Sequence, residues 1–195
     1  GERFSGELDG FRRLGVKIDF SCNVKFMQVP IVGDASFIKE WADAKMGIIK
    51  NVLEGVKGLS SRHVAFYLLK GAGDACRVVY YLRTAPVDMI KPFVDEFDSE
   101  LRAAFDEVVG FSTSDKQWDQ ATLGVKSSGM GLCCAAEVAD AAYLASRARV
   151  YEDCKGLDRR HVWDNGQERE GDIAIAGVNN GQERLAGAVL GEWLS

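Results

Sequence analysis

No apolar stretch in this chain reaches the roughly 18 residues that a membrane span requires, and histidine is confined to His63 and His161. The five cysteines, Cys22, Cys76, Cys133, Cys134 and Cys154, are odd in number and scattered, with one adjacent pair and no Cys-x-x-Cys. That usage suits a reducing intracellular compartment, where cysteine acts as a small buried hydrophobe. No secretory signal opens the chain, which starts at Gly1 and not at Met, so a processed product, an excised fragment or a removed organellar presequence is expected, with the mitochondrion as the candidate organelle. A basic excess is also missing. The net charge is −5, whereas proteins whose main work is to neutralise phosphates carry a surplus of Lys and Arg. Any phosphate-binding surface must therefore be a local patch.

What the sequence does contain is ordinary globular material. Hydrophobic residues make up 47% and charged residues 27% of 195 positions, enough chain to bury roughly 70% of its unfolded surface without a metal or disulfide staple. The pattern along the chain predicts a mainly α protein: a helical bundle of about four helices, with a short β or irregular opening segment and an irregular C-terminal tail that ends in a helix. Three regions follow, 1–35, 36–150 and 151–195.

In the first region "FRRLGVKIDFS" and "VKFMQVPIVGD" read as two short strands, punctuated by Pro30 and Gly33. From Ser36 the period changes to a helical one. Phe37, Trp41, Ile48, Ile49, Val52, Leu53 and Val56 form an apolar stripe, with Gly58 as a stop. A second helix is expected from about Ser60 with Val64, Leu68, Ala72, Ala75, Val79 and Leu82 on one side, bent at Gly71 and Gly73 and ended before Pro86. A third should run from Val87 to Val109 and bury Ile90, Phe93, Val94, Phe97, Leu101, Ala104, Phe105 and Val108, with Gly110 ending it. The fourth is "LCCAAEVADAAYLASRA", whose small residues permit close approach of a neighbour. The polar tail carries "NGQER" at Asn165 and again at Asn180; each is a plausible capping box, and the second opens an amphipathic "RLAGAVLGEWLS".

The order of five segments, "VPIVGDASFIKEWADAKM", "HVAFYLLKGAG", "VVYYLRTAP", "FDSELRAAFDEVVG" and "QWDQATLGVKSSGMGLCCAAEVADAAYLAS", resembles the region downstream of the palm in reverse transcriptases of non-LTR retrotransposons. The likeness covers about residues 10–148 and leaves out the tail. Departures accompany it: Ser128-Gly129-Met130-Gly131-Leu132 stands where the family has Gly-Gly-Leu-Gly-Leu, Leu123-Gly124 where it has Leu-Pro, and "PIVGD" contains an added residue.

Polymerisation in that family needs clustered aspartates holding two Mg²⁺, and its hallmark is an Asp-Asp hairpin. No Asp-Asp occurs in this chain. Asp95, Glu96, Asp98 and Glu100 read as a solvated helix face. His63 reads as a polar residue at a helix start. Cys133, Cys134, Cys154 and His161 lack any standard zinc spacing. "SSGMG" lacks the Gly-Lys-Ser/Thr ending of a phosphate-binding loop and reads as a turn leading into a helix. No cofactor, metal or small-molecule substrate is expected, and no catalytic residue.

The resemblance implies a thumb-like role in which basic residues follow a nucleic-acid backbone. Lys70 and Arg77, seven residues apart, share a face if their helix is continuous; Arg83 lies near its end and Lys126 in the later turn. The plain alternative is a solvated face. The preferred expectation is a non-catalytic, reverse transcriptase-derived structural subunit with protein partners in a larger, RNA-containing assembly such as an organellar ribosome. A thumb-region fragment of an active polymerase and a free-standing nucleic-acid-binding module are the competing readings.

Overall fold

The computed structural model describes residues 23–157, together with Arg13. Of the expected strand in "FRRLGVKIDFS" only Arg13 is described, and it is helical and not extended; both copies of "NGQER" and the C-terminal helix lie outside the described residues.

The chain enters through a hairpin of β1 (Val24–Phe26) and β2 (Val29–Val32), antiparallel, with Val24 opposite Val32 and Phe26 opposite Val29. "VKFMQVPIVGD" thus holds two strands and not one. Its reversal sits at Met27 and Gln28, with φ of 47° and 73°, the sign that two-residue hairpin turns demand at both central positions. Neither residue adopts that region cheaply, and tertiary bonds hold them there. Trp41 Nε1 donates to the Gln28 carbonyl at 2.8 Å, and Tyr80 Oη donates to the Met27 carbonyl at 2.8 Å.

Helix α1 (Ala35–Lys57) begins at Asp34, whose carboxylate accepts from Phe37 N and Ser36 Oγ. Those bonds, with a third from Asn23, hold the Asp34 carboxyl down at about 2. The helix buries Trp41, Ala42, Met46, Ile49, Leu53 and Val56. Ile48, expected inside, is exposed, and Met46 takes its place in the core.

The second expected helix is not continuous. It consists of α2 (Arg62–Leu68), a π-helical turn over Leu69–Gly73, a 3₁₀ turn over Ala75–Arg77, and α3 (Val79–Thr84). At the break, Gly73 packs so closely on Leu69 and Leu53 that an added Cβ would lie 3.1–3.2 Å from their methyl carbons. The buried Asp74 side chain accepts from Cys76 N and starts the 3₁₀ turn. A π turn and a 3₁₀ turn each change the residues per turn, so the buried set shifts phase. Ala65, Leu69, Ala75, Val78 and Leu82 face the core, while Val64, Leu68 and Val79, expected inside, face outward.

Helix α4 (Val87–Val109) follows Pro86 and ends at Gly110, whose φ of 85° is the left-handed conformation of a glycine stop. All eight residues expected on its buried face are buried. It lies against α1, and Trp41, Tyr81 and Phe93 meet there with ring centroids 5.1–5.7 Å apart.

A short helix absent from the sequence expectation, α5 (Asp115–Thr122), starts at a reciprocal capping box of Ser114 and Gln117. Arg102 fastens it to α4 through Asp115 Oδ1 and the Thr113 carbonyl, both at 2.8 Å. After a tight turn, α6 (Ala135–Leu157) packs on α3 and α4. It starts three residues later than expected and continues seven past Val150, into the segment assigned to the tail. The described chain is therefore a mainly α bundle with a small hairpin, as expected.

Candidate interaction surface

Asp98 was expected on a solvated face of α4, but it has a structural task. Its two carboxylate oxygens accept from the first backbone N–H groups of α6, Ala135 N at 2.7 Å and Ala136 N at 2.9 Å. One helix thereby caps another in trans, which satisfies donors that no residue of α6 reaches. Burial pushes the Asp98 carboxyl above its ordinary range despite these bonds, and it raises Glu137 in the same way. The other three acids of that cluster hold lysines: Asp95 pairs with Lys91, and Glu96 and Glu100 with Lys50. Among the described residues no cluster of three His, Cys, Asp or Glu has the arrangement of a metal site.

The glycine turn between α5 and α6 is equally committed. The amides of Ser127 and Gly129 bond to the Gly124 carbonyl, that of Ser128 to Val125, that of Gly131 to Leu123 and that of Leu132 to Ala121. A phosphate cradle needs free amides pointing at the ligand, and these point at carbonyls. Glycine at 129 is required by its contact with the Leu123 backbone carbonyl, and at 131 by a φ of 72°. The turn leads into a helix, as its composition suggested.

Burial raises the Cys133 thiol to about 11 and Cys134 higher still, so both stay protonated. Cys22 and His161 lie outside the described residues.

The four basic residues singled out in the sequence separate into different places. Lys70 sits in the π turn, and its Nζ donates 2.9 Å to the Met130 carbonyl. Arg77 lies in the 3₁₀ turn, so the spacing that would have put it on one face with Lys70 does not apply. It lines a cleft of about 180 Å³ with Lys45 and Tyr81. Arg83 is exposed near the end of α3 and Lys126 is exposed in the glycine turn. The side chains of Arg77, Arg83 and Lys126 have no ion-pair or hydrogen-bond partner among the described residues. The structure brings Lys70 and Lys126 to one region, through the turn that Lys70 holds, and leaves Arg77 and Arg83 apart from each other's contacts.

A larger groove of about 530 Å³ runs between the N-terminal halves of α1 and α4, floored by Ile38, Ala42, Met89, Pro92 and Phe93. Among its rim charges Lys39 pairs with Asp43 and Glu96 with Lys50, while Asp88 has no ion pair among the described residues. It lacks the converging polar groups that orient a small ligand.

The sequence reading missed an open apolar surface on α2. On α2, Val64 is 50% exposed, Tyr67 78% and Leu68 44%, and their spacing puts them on one face. Lys70, in the π turn that follows α2, bonds to the glycine turn, where Val125 is 67% exposed and Met130 is also open. A position built at Gly131 lies within 3.4 Å of both Lys70 and Val125, so the two segments are in contact. A signal for this surface was available. From Leu59 to Gly73 and from Gln120 to Ala136 the chain has no Asp or Glu, in a protein with 29 of them.

Comparison of the chain with protein-family models, with curated proteins and with solved structures finds no match. The class that the described residues define is a mainly α bundle with a β-hairpin.

Proposed function

We propose that this chain is a non-catalytic interaction subunit, descended from the part of a non-LTR reverse transcriptase that follows the palm, and that it works by shape and contact within a larger assembly. The observation that carries the reading is the open apolar face of α2 made by Val64, Tyr67 and Leu68, with Val125 and Met130 also exposed in the glycine turn. Tyrosine and methionine concentrate in protein interfaces, where large side chains lose water together, and an unshared face of this kind favours association. An RNA-rich assembly, such as an organellar ribosome in the mitochondrion, is the host proposed. The descent rests on the motif order, with the departures in the glycine turn consistent with a site no longer held to its ancestral form.

The test is isolation of the native chain with what it binds. Stoichiometric protein partners in a stable particle are expected, together with failure of the purified chain to bind a dNTP or extend a primer. Recovery of the native chain as a free monomer, or template-dependent extension by it alone, overturns the reading.

A second reading, a nucleic-acid-binding module, is favoured by the unpartnered Arg77, Arg83 and Lys126. It requires RNA affinity that falls steeply with salt and weakens when Lys70 and Arg77 are changed to Glu.

A further inference from the structure

We propose that the cleft between α1 and the 3₁₀ turn leading into α3 binds the phosphate group of a phosphate monoester. It lies in a part of the molecule that the interaction-subunit reading does not use, and its test is independent of that reading.

The cleft, of about 180 Å³, is lined by Lys45, Ile48 and Ile49 of α1, by Arg77 of the 3₁₀ turn and by Tyr81 of α3. Its two cations come from different elements, and neither has an ion-pair partner among the described residues. The Lys45 ammonium donates to Gln28 Oε1 at 3.1 Å and lies 5.8 Å from the centre of the Tyr81 ring. Both contacts are with neutral groups. They hold the side chain in place while leaving its charge uncancelled and further N–H donors unused. Arg77 keeps its whole guanidinium fork, and the Tyr81 hydroxyl also has no hydrogen-bond partner among the described residues.

The surrounding acids are committed elsewhere. α1 carries no Asp or Glu between Asp43 and Glu54, and the opposite wall carries none between Asp74 and Asp88. Asp43 pairs with Lys39 and Glu54 with Lys57, while Asp74 is buried and accepts from Cys76 N. Two cations therefore share one cleft without a carboxylate, in a chain whose net charge is −5. A phosphate monoester brings about −1.5 to −2 charge at neutral pH and three acceptor oxygens, which match an Arg fork and a Lys point charge. A carboxylate brings a single charge and leaves one cation uncompensated. The volume lies below the roughly 300–1,000 Å³ of a pocket for a drug-sized ligand, so it takes one anionic group on a short stem. Ile48, 54% exposed, and Ile49 supply an apolar wall for that stem.

An RNA backbone fits less well, because it needs cations repeated along a track. The next cation on α1 is Lys50, and Glu96 and Glu100 already hold it. The monoester belongs either to a free small molecule or to a phosphorylated side chain of a partner; the group recognised is the same.

The experiment titrates the full chain and follows its backbone amides by NMR. Phenyl phosphate represents a free monoester and a short phosphoserine peptide a modified partner; benzoate, the unphosphorylated peptide and an oligouridylate are controls. Saturable shifts at residues 45–49 and 77–81 are expected with phenyl phosphate, and weaker binding of benzoate. Lys45→Gln and Arg77→Gln should each weaken phenyl phosphate about tenfold, the loss of one charge-assisted hydrogen bond, and Arg83→Gln should leave it unchanged. Amide signals away from the cleft report that each variant is folded. Tighter binding of the phosphoserine peptide supports the site and assigns the group to a partner protein; tighter binding of phenyl phosphate supports it and assigns a free small molecule. Absence of saturable shifts with both phosphate probes, undiminished binding in the two Gln variants, benzoate binding as tightly as phenyl phosphate, or displacement of phenyl phosphate by the oligouridylate overturns the proposal.

Discussion

Replacing Asp98 tests how the bundle holds its last helix. The perturbation removes a carboxylate that accepts two backbone N–H groups at 2.7 and 2.9 Å from a half-buried position. Ala135 is fully buried, so in Asp98→Ala its N–H loses its partner without gaining water. Loss of an N-cap acceptor costs about 0.5–2 kcal/mol, and a buried donor left unsatisfied costs about 1–3 kcal/mol. These describe one event, so a loss of about 2 kcal/mol is expected for Asp98→Ala. In a chain of this size that corresponds to a fall in Tm of roughly 4–8 °C. Asp98→Asn keeps one acceptor oxygen and should lose about half as much.

The pH dependence has a definite sign. Burial raises the folded carboxyl above its unfolded value, so folding favours the protonated form. The contribution of Asp98 is therefore fullest below the unfolded carboxylate pKa and declines as pH rises through the folded one. The Asn variant cannot ionise there, so the gap between parent and Asp98→Asn should narrow as pH is raised from below the carboxylate range towards neutrality. The Asp98 charge also raises Glu137, which lies in the first turn of α6; that effect has the same sign. Thermal and urea unfolding followed at 222 nm, at a series of pH values, measures both quantities. An Asp98→Ala variant as stable as the parent would remove the trans-cap from the account. A parent that gains stability over Asp98→Asn as pH rises would show that the hydrogen bonds, and not burial, dominate the carboxyl.

Two further outcomes are expected. Trp41→Ala should lose about 3–5 kcal/mol, because Trp41 is buried between Tyr81 and Phe93 and its Nε1 holds the hairpin turn; urea unfolding and the hydrogen exchange of the Gln28–Val29 amides should change together, and a shift in stability without faster exchange at the turn would contradict the anchoring role. Glycine substitutions should divide by position: Gly129→Ala, driven against the Leu123 backbone, should destabilise by more than about 1 kcal/mol, whereas Gly71→Ala, with open space around it, should gain about 0.4–1 kcal/mol. Equal effects at the two positions in a thermal melt would refute the local geometry.

Helix α4 shows how much periodicity can carry. Its boundaries and all eight buried residues follow from a regular 3.6-residue stripe between a proline and a glycine, because nothing in it departs from the α period. The start of α5 was written as Ser114-x-x-Gln117 and was legible as a capping box, though its weak apolar content hid it. Among the basic residues, Arg83 and Lys126 are exposed, as their polar neighbours suggest, while Lys70 and Arg77 could be paired from sequence only by assuming an unbroken helix.

By itself, the sequence determined that this chain is mainly helical, where its strongest amphipathic helix runs, and that no Asp-Asp pair is present. The tertiary structure decided which way α2 faces. Gly73 yields to the close approach of Leu53 and Leu69, Asp74 caps a 3₁₀ turn, and the accumulated phase error turns Val64 and Leu68 from the core towards solvent. It also decided the place of Asp98, since a bond to a helix start 37 residues away leaves no trace in local periodicity. Residue type and spacing record the forces acting within a few turns of chain; a change of helical pitch, and a cap delivered from another helix, are settled only when the elements pack.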